Sequence, residues 1–425
     1  MAMNDERRAA LASLAETFGT PCYVYDESMI RERVARVRDA FEGRFEISYA
    51  VKSNPNRAIL RAMSSMVDRL DLSSGGELLL AEETGWDPSL WSFVGPAKRA
   101  GELRLAVELS CGHVVAESER EIRQLDAIAA AAGATASVLL RINPTDLPKG
   151  FGVSMARRPT IFGIDEEVID DAVRLAEQLE HVRLEGFHVY AGTQCLDAGA
   201  LAENIRNISR LFGRLIEDHS LNVEHLVFGS GFGIDYHGSS EPLDPAEVAA
   251  GCVDSLDELK AHPGAASATM ALEMGRYLIG EAGVYLVSVL GTKATRGSDL
   301  LVLDGGMHHY LGASGNLGGV LKRNYPVEAV TGDENRQRTY DLSGPLCTNI
   351  DSMGKGIQTR ELDTGDVVAI GCAGAYGLTS SPVHFISHAP PTEVLLPSVD
   401  EVDRALDITL DGTAAIAPDW RRFAD

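Results

Sequence analysis

The feature that most constrains this 425-residue chain is a repeated alternation of short β-rich runs with longer segments of helical period. Eight runs rich in branched and aromatic residues are predicted to be strands: 47–52, 69–73, 90–95, 113–117, 137–143, 184–190, 224–229 and 269–274. Amphipathic stretches lie between them at 57–66, 77–84, 119–132, 166–179, 201–219 and 245–261. Because eight β/α repeats in about 230 residues are the count and size of a closed (β/α)₈ barrel, we expect a TIM barrel.

The sequence after residue 280 contains strand candidates without intervening helices, which predicts a separate all-β domain. These candidates are 284–290, 300–304, 327–330, 338–342, 366–371 and 392–396. An apolar run at 22–25 precedes the barrel and is a candidate to pair into this second sheet. We therefore expect a barrel over residues 28–278 and a β domain formed by residues 1–27 and 279–425. Glycine-containing segments at 145–160 and 311–320 are expected to be loops.

The composition excludes several classes of function. With 38 Lys and Arg against 62 Asp and Glu, the net charge is −24, which repels nucleic acid and anionic membrane surfaces. No run of about 18 apolar residues occurs, and no apolar segment follows the mixed charges at the start, so we expect a cytoplasmic protein. The six cysteines lack a Cys-x-x-Cys pair, and His308 and His309 lack a third ligand at metal spacing, so no metal is expected.

Several chemically unusual residues fall just beyond the ends of predicted barrel strands, where the loops of such a barrel converge. Lys52 ends an apolar run, where desolvation is expected to lower its pKa and free the amine for Schiff-base chemistry. His188 ends the sixth strand. The seventh strand runs into Gly-Ser-Gly-Phe-Gly at 229–233, whose small residues let backbone N–H groups approach an anion. The eighth ends in a carboxylate, Glu273, and a guanidinium, Arg276, that can close on a phosphate.

Each of these features has an ordinary structural explanation when taken alone: a solvated strand end, a core histidine, a tight turn or an ion pair. Together they require one ligand with a carbonyl for Lys52, a ring to stack on His188 and a basic ring nitrogen for Glu273. The same ligand needs a phosphate for the glycines and Arg276. Pyridoxal 5′-phosphate has all four groups, so the sequence predicts a site for this cofactor at the mouth of the barrel.

The chain resembles the fold-type III pyridoxal-phosphate decarboxylases, the group of ornithine and diaminopimelate decarboxylases with an alanine-racemase-like barrel. The resemblance runs in order through nearly the whole chain. It rests on Tyr-Ala-Val-Lys52, the strand end at His188, the glycine loop, Glu-Met-Gly-Arg276, Gly-Pro-Leu-Cys347 and Gly-Ala-Tyr376. It implies a pyridoxal-phosphate-dependent amino-acid decarboxylase.

The family's residue roles carry over to the matching positions. The resemblance implies that Lys52 bonds to the cofactor, His188 stacks on its ring and Glu273 pairs with its pyridine nitrogen. The cofactor's other contacts are expected from Thr193, Gly229, Ser230, Gly231, Phe232, Gly233, Gly275 and Arg276. In this family two chains share each active site in a homodimer. We therefore expect the partner to contribute Tyr376 and Cys347, the latter as the acid that returns a proton to the α carbon.

The chain departs from the family pattern at three positions, of which Thr348 bears on the substrate. Ser230 replaces the usual middle glycine and Met274 the usual proline, and neither change alters a reacting group. Thr348 stands where ornithine and diaminopimelate decarboxylases have an acidic residue that binds the far amine of the substrate. A threonine cannot pair with an ammonium group, and a buried ammonium without a partner is costly, so we expect a substrate without a distal amine. Arg323 and Asp351 are further candidates for substrate contact.

A closer likeness is to decarboxylases of natural-product biosynthesis that act on glutamate held as a distal thioester on an acyl carrier protein. It rests on His-Val-Tyr-Ala-Gly-Thr-Gln at 188–194, Asp-Gly-Gly-Met-His-His at 304–309, Arg-Asn-Tyr-Pro at 323–326 and Ser-Pro-Val-His-Phe at 381–385. The likeness implies removal of the α-carboxylate from a glutamyl, aspartyl or methylaspartyl unit on such a carrier. A masked distal carboxyl agrees with a neutral Thr348.

Three alternatives stay open. The first is decarboxylation of a free amino acid such as meso-diaminopimelate, which Thr348 disfavours. Racemisation is more distant, because a two-base racemase needs a tyrosine base where this chain has Gly-Pro-Leu-Cys347. The third is a catalytically silent binding paralogue, which usually loses the lysine, glutamate or cysteine that are present here.

An acidic carrier protein is repelled at long range by a chain of charge −24, so local basic clusters would have to offset this repulsion. The candidates are Lys98 with Arg99, Lys149 with Arg157 and Arg158, and Lys322 with Arg323. Each is also compatible with an ordinary solvated surface.

Overall fold

The structure is a computed structural model that describes residues 3–154, 159–315 and 323–412. The helices of the described residues are α1 (Asp5–Phe18), α2 (Glu27–Phe41), α3 (Arg57–Met63), α4 (Gly75–Glu83), α5 (Ala100–Glu108), α6 (Glu119–Ala132), α7 (Ile169–Gln178), α8 (Ala198–Asp218), α9 (Pro245–Ala250), α10 (Val253–Ala261) and α11 (Arg276–Ile279). Their strands are β1 (Cys22–Asp26), β2 (Glu46–Ala50), β3 (Arg69–Leu72), β4 (Trp91–Phe93), β5 (His113–Ala116), β6 (Ala136–Asn143), β7 (Val153–Ser154), β8 (Ile164–Asp165), β9 (Val182–Val189), β10 (Gly192–Thr193), β11 (His225–Gly229), β12 (Thr269–Met274), β13 (Gly283–Thr295), β14 (Ser298–Leu303), β15 (Val327–Ala329), β16 (Asp333–Ser343), β17 (Ser352–Glu361), β18 (Val367–Ile370), β19 (Thr392–Leu396) and β20 (Leu406–Asp407).

Eight parallel strands close into a barrel, and all eight predicted barrel strands are confirmed with small shifts at their ends. The order around the barrel is β2, β3, β4, β5, β6, β9, β11 and β12, and β12 pairs back to β2. Most residues of these strands are buried, as expected for a parallel sheet covered by helices. Surrounding helices begin at side chains that accept a first-turn N–H, such as Ser118 before α6 and Asp197 before α8.

The structure departs from the predicted elements in several places. Helices α2 and α5 are not among the predicted amphipathic stretches, and the stretch 245–261 forms two helices that break at Gly251 and Cys252. Strand β17 was not predicted, because Gly354 and Gly356 interrupt its alternation of apolar and polar residues. Segment 145–160 is not entirely a loop, since β7 pairs with β10. Residues 155–158 and 316–320 of the two predicted loops lie outside the described residues.

The second sheet contains strands from both ends of the chain. Strand β1 pairs antiparallel with β13 and parallel with β19, so that Tyr23 lies opposite Tyr285 on one side and Glu393 on the other. The sheet continues through β14, β16 and β17 on the β13 side, and through β20 beyond β19. Helix α1 packs Leu11 and Leu14 against a smaller apolar cluster of this sheet.

A tightly packed seam joins the β domain to the barrel. The turn after β18 contains Gly374, whose N–H donates to the Gly280 carbonyl at 2.9 Å. A Cβ at Gly374 would lie 1.8 Å from the Ile279 carbonyl oxygen, and a Cβ at Gly283 would lie 2.1 Å from the Gly374 nitrogen. Only glycine allows the two backbones to approach this closely. The Gly-Ala-Tyr motif therefore starts with glycine because it lies at this seam.

None of the described helices is both long enough and apolar enough to cross a membrane.

We expect the substitution Gly374→Ala to destabilise the protein by about 1–3 kcal/mol, because the added methyl group overpacks the seam. A fall in Tm measured by differential scanning calorimetry tests this. The matched control is Gly291→Ala, since a Cβ at Gly291 meets nothing within 4 Å and its backbone is not left-handed. If the two variants melt at the same temperature, the seam tolerates the extra methyl group and this interpretation fails.

Candidate active site

Lys52 stands at the mouth of the barrel on a single 3₁₀ turn, Val51–Ser53, directly after β2. Its Nζ donates a hydrogen bond to Asp71 Oδ2 at 2.6 Å, and Ser73 Oγ lies 3.4 Å away. The Lys52 side chain is 39% exposed whereas that of Asp71 is 1% exposed. The amine is therefore held by a buried carboxylate but is still accessible to a ligand that enters the barrel mouth.

The pKa of Lys52 differs from the sequence expectation. Burial lowers the pKa of the amine, as predicted, but the negative charges of Asp71 and Glu273 more than offset this and raise it above its ordinary value. The sequence argument was wrong because it considered the desolvation of Lys52 without its partners. Glu77 adds a third, half-buried carboxyl group nearby, and desolvation raises its pKa to about 7. The free amine is thus an ammonium ion within an acidic pocket.

His188 and Glu273 form a buried pair beside Lys52. His188 Nε2 lies 3.0 Å from both oxygens of Glu273, and neither residue is more than 2% exposed. Burial raises the pKa of Glu273, but His188 and Lys52 reverse this and hold it below its ordinary value. Within the described residues, His188 Nδ1 is a buried nitrogen without a hydrogen-bond partner. Glu273 is thus an ionised carboxylate suited to a protonated ring nitrogen.

The glycine loop at the end of β11 lies so close to neighbouring residues that a Cβ on its glycines would collide with them. A Cβ at Gly229 would lie 2.4 Å from the Tyr190 ring, and one at Gly233 would lie 2.9 Å from the Cys195 carbonyl oxygen. Gly231 has a left-handed backbone, with φ of +69°, which favours glycine. Ser230 and Phe232, the two residues between the glycines, are buried. The loop can therefore bring backbone N–H groups close to an anion.

Arg276 and Tyr376 complete the mouth of the site. The Arg276 guanidinium lies over the Tyr376 ring, with its central carbon 4.7 Å from the ring centroid. The Tyr376 N–H donates to the Ser53 carbonyl at 2.9 Å, which holds the tyrosine in a left-handed conformation with φ of +52°. Tyr376 therefore lies in the pocket of its own protomer. The expectation that the partner supplies this tyrosine is wrong, because the Lys52 turn and the Tyr376 turn of one chain are bonded to each other.

One cavity brings most of the predicted cofactor residues together. It is lined by Ala50, Lys52, Tyr190, Thr193, Ser230, Phe232, Glu273, Met274, Gly275, Arg276 and Tyr376. A Cβ at Gly275 would lie 2.9 Å from that of Ser53, so the position directly before Arg276 also requires glycine. The donor set fits pyridoxal phosphate: an amine, an ionised carboxylate next to a histidine, and a cationic phosphate cradle. A buried Arg276 Nε without a hydrogen-bond partner among the described residues supports the same fit.

The predicted substrate residues lie on the β domain and do not line this cavity of their own chain. Cys347 is exposed on the loop between β16 and β17, and Thr348 beside it is half-buried. Asp351 is buried, and its two oxygens accept N–H groups from Met307 and Leu346 at 2.7 and 3.0 Å. Through these hydrogen bonds Asp351 stabilises the conformation of the loop. Arg323 is exposed, at the edge of the described residues.

Sequence reasoning missed three residues of the site: Asp71, Glu77 and Tyr236. Asp71 is a buried charge inside the apolar strand Leu70-Asp-Leu72, a pattern that indicates a buried partner. Glu77 lies in the first turn of α4 and accepts the Ser73 N–H at 2.6 Å. Tyr236 follows the glycine loop, and its hydroxyl contacts Arg276.

A possible metal-ligand set occurs at the opposite end of the barrel, where strands begin. Ligand atoms of His113, Glu185 and His225 lie within 4.8 Å of one another. Arg183 Nε donates to Glu185 at 2.8 Å, and Arg69 Nη1 lies 3.5 Å from His113 Nε2. Because two guanidinium groups already engage the set and oppose a cation, it is a hydrogen-bonded network at the base of the barrel.

The residues of the basic clusters considered for binding a carrier protein differ in their exposure. Lys98 is buried, and its Nζ lies 2.8 Å from Glu121, so it is not a surface residue and the suggestion that it contacts a carrier is wrong. Arg99, Lys149 and Arg323 are exposed. The remaining members of these clusters, Arg157, Arg158 and Lys322, lie outside the described residues.

Comparisons with known proteins agree with this geometry. A family model described as the pyridoxal binding domain of pyridoxal-dependent decarboxylases matches residues 27–280. The L-glutamyl-[BtrI acyl-carrier protein] decarboxylase of Niallia circulans is 32% identical over 395 residues, which cover 91% of this chain and 91% of that protein. The diaminopimelate decarboxylase of Aquifex aeolicus is 29% identical, with 91% and 89% covered. The crystal structure of diaminopimelate decarboxylase from M. jannaschii has a TM-score of 0.85 at 27% identity, with 96% and 93% covered.

We expect Asp71→Asn to shift the pH dependence of cofactor uptake toward lower pH by about one unit or more. Asp71 favours the protonated form of Lys52, so its removal lowers the pKa of the amine and increases the neutral fraction that reacts with an aldehyde. The rate at which cofactor-free protein takes up pyridoxal phosphate, followed by visible absorbance across pH, measures the shift. Glu83→Gln, which removes a surface carboxylate paired with Arg57, is the control. An unchanged pH profile for Asp71→Asn would contradict the assignment.

Proposed function

The chain belongs to the pyridoxal-dependent decarboxylases, and from this premise we propose that its substrate is an acidic amino acid held on an acyl carrier protein. As a member of the family, it is an amino-acid decarboxylase whose cofactor is pyridoxal 5′-phosphate. The proposed unit is glutamyl, aspartyl or methylaspartyl, joined to the carrier as a thioester through its distal carboxyl. The reaction removes the free α-carboxylate and is a step in natural-product biosynthesis.

The observation that carries this proposal is the absence of an outward-facing carboxylate on the loop of Cys347. Between Gly344 and Asp351 the only acidic residue is Asp351, and its carboxylate is buried and accepts two backbone N–H groups. The neighbour of Cys347 is the neutral Thr348. A substrate with a distal ammonium group would lose its hydration here without gaining a charged partner, which is costly. A distal thioester carries no charge and needs no such partner.

We propose the following roles for the residues of the pocket. Pyridoxal phosphate, when bound, supplies an electron sink for the electron pair that the departing carbon dioxide leaves behind. Lys52 would hold the cofactor through its amine. Glu273 keeps a proton on the ring nitrogen, and His188 packs beside it. The glycine loop, Arg276 and Tyr376 hold the phosphate end, which fixes the orientation of the ring.

We further propose that the enzyme is a homodimer in which Cys347 of the partner subunit returns the proton to the α carbon. Cys347 is exposed on its own protomer and does not line the cavity of its own chain. A thiol that is exposed and lies outside the cavity of its own chain supports a role at the site of a second copy. The partner's loop would also bring Thr348 to the distal end of the substrate.

A second candidate substrate is free meso-diaminopimelate, which the similarity to the diaminopimelate decarboxylases of Aquifex aeolicus and M. jannaschii favours. Intact-mass measurement of glutamyl- and aspartyl-loaded carrier proteins, with free diaminopimelate and glutamate monitored in the same reaction, separates the two. Loss of one carbon dioxide from a loaded carrier, with the free amino acids unchanged, supports the carrier substrate. Consumption of diaminopimelate instead overturns it.

We expect Thr348→Glu to change the substrate preference. A carboxylate at this position would pair with a distal ammonium group, so kcat/KM for diaminopimelate should rise by about tenfold or more relative to that for the carrier-bound substrate. Steady-state kinetics on both substrates measure the ratio.

The matched control is Thr348→Gln, which has the same added length as the glutamate without its charge. If the glutamine and glutamate variants shift the ratio equally, the effect is steric and the charge argument from Thr348 fails. An unchanged ratio in both variants would place residue 348 away from the substrate.

A further inference from the structure

Arg276 is held by two tyrosine rings, one from each domain. Its central guanidinium carbon lies 4.7 Å from the centroid of the Tyr376 ring and 5.4 Å from that of Tyr236. Its Nη1 also donates a hydrogen bond to the Tyr236 hydroxyl at 2.5 Å. Tyr376 belongs to the β domain, whereas Tyr236 follows the glycine loop of the barrel. The two rings and the hydroxyl together restrict the side chain of Arg276.

This arrangement leaves the charge of Arg276 without a neutralising partner. Among the described residues, no carboxylate lies within 4.0 Å of its guanidinium nitrogens, although most other arginines of the barrel have one. Aromatic faces attract a guanidinium group and orient it without cancelling its charge. An aspartate at the position of Tyr236 would hold Arg276 equally well, but it would compete with an incoming anion.

Tyr236 is itself fixed by packing against the β domain. It is 8% exposed, and its ring centroid lies 4.8 Å from that of Tyr325. Tyr325 in turn meets Tyr310 edge to face at 5.5 Å, and the Tyr310 hydroxyl donates to the Cys372 carbonyl at 2.6 Å. The position of Tyr236, and through it that of Arg276, therefore depends on how the β domain packs against the barrel.

We propose that Tyr236 is a positioning residue for the cofactor phosphate, which acts by holding the uncompensated guanidinium of Arg276 toward the glycine loop. The hydroxyl accepts a hydrogen bond from Arg276 and so holds one arm of the guanidinium in place. Burial raises the pKa of Tyr236 to about 12, which keeps the hydroxyl neutral at neutral pH. The proposal depends on the cofactor and not on the identity of the amino-acid substrate.

The test compares two forms of the cofactor that differ only in the phosphate. Tyr236→Phe removes the hydroxyl and keeps the ring. Dissociation constants for pyridoxal phosphate and for pyridoxal, measured by quenching of protein fluorescence in cofactor-free protein, separate the phosphate end from the ring. We expect binding of pyridoxal phosphate to weaken by about tenfold, a size typical for loss of a hydrogen bond to a charged group, while pyridoxal binding stays unchanged.

Tyr340→Phe is the matched control, because it removes a buried tyrosine hydroxyl that bonds to the Leu362 main chain, and it should bind pyridoxal phosphate with native affinity. Inorganic phosphate provides a second readout: it should compete less well with pyridoxal phosphate in Tyr236→Phe than in the native protein. Equal weakening for pyridoxal and pyridoxal phosphate would show a general structural role and overturn the proposal. Native affinity of Tyr236→Phe for pyridoxal phosphate would overturn it as well.

Discussion

The site depends on the hydrogen bonds that join the turn of Lys52 to the turn of Tyr376. The Tyr376 N–H donates to the Ser53 carbonyl, and the Asn54 side chain donates to the Gly374 carbonyl at 3.1 Å. One turn ends the first barrel strand and the other belongs to the β domain. These bonds hold the turn that carries the Lys52 amine next to the Tyr376 ring, which packs on the Arg276 guanidinium. The close glycine contacts at the seam are what allow the two backbones to meet.

Electrostatics divides the pocket into two ends. At the inner end, the buried carboxylates of Asp71 and Glu273 surround Lys52 and favour positive charge, including that of a protonated pyridine nitrogen. At the outer end, Arg276 is held by tyrosine rings and favours negative charge. A ligand with a cationic ring and an anionic phosphate therefore has one favourable orientation. The opposite charges of the two ends therefore favour pyridoxal phosphate over a simple anion.

Much of this account could be predicted from the sequence because strand periodicity and strand ends are local signals. The eight barrel strands were found from alternation, and Lys52, His188, Glu273 and Arg276 were found because each interrupts or ends an apolar run. The partners that set their chemistry could not be found in this way. Asp71 is 19 residues from Lys52 in the chain, and the raised pKa of the amine results from this contact. A tertiary contact, between the Tyr376 N–H and the Ser53 carbonyl, likewise decides which protomer supplies Tyr376. The expectation that the partner supplies it was wrong.

The central claim is that Lys52 in this pocket carries the cofactor, and reductive labelling tests it most directly. Borohydride treatment of the holoenzyme makes the link between lysine and cofactor permanent, and peptide mass mapping then locates the added phosphopyridoxyl group. The account predicts one labelled residue per chain, Lys52, and no label in a Lys52→Ala variant treated in the same way. Label on another lysine, or equal labelling of the variant, would contradict it.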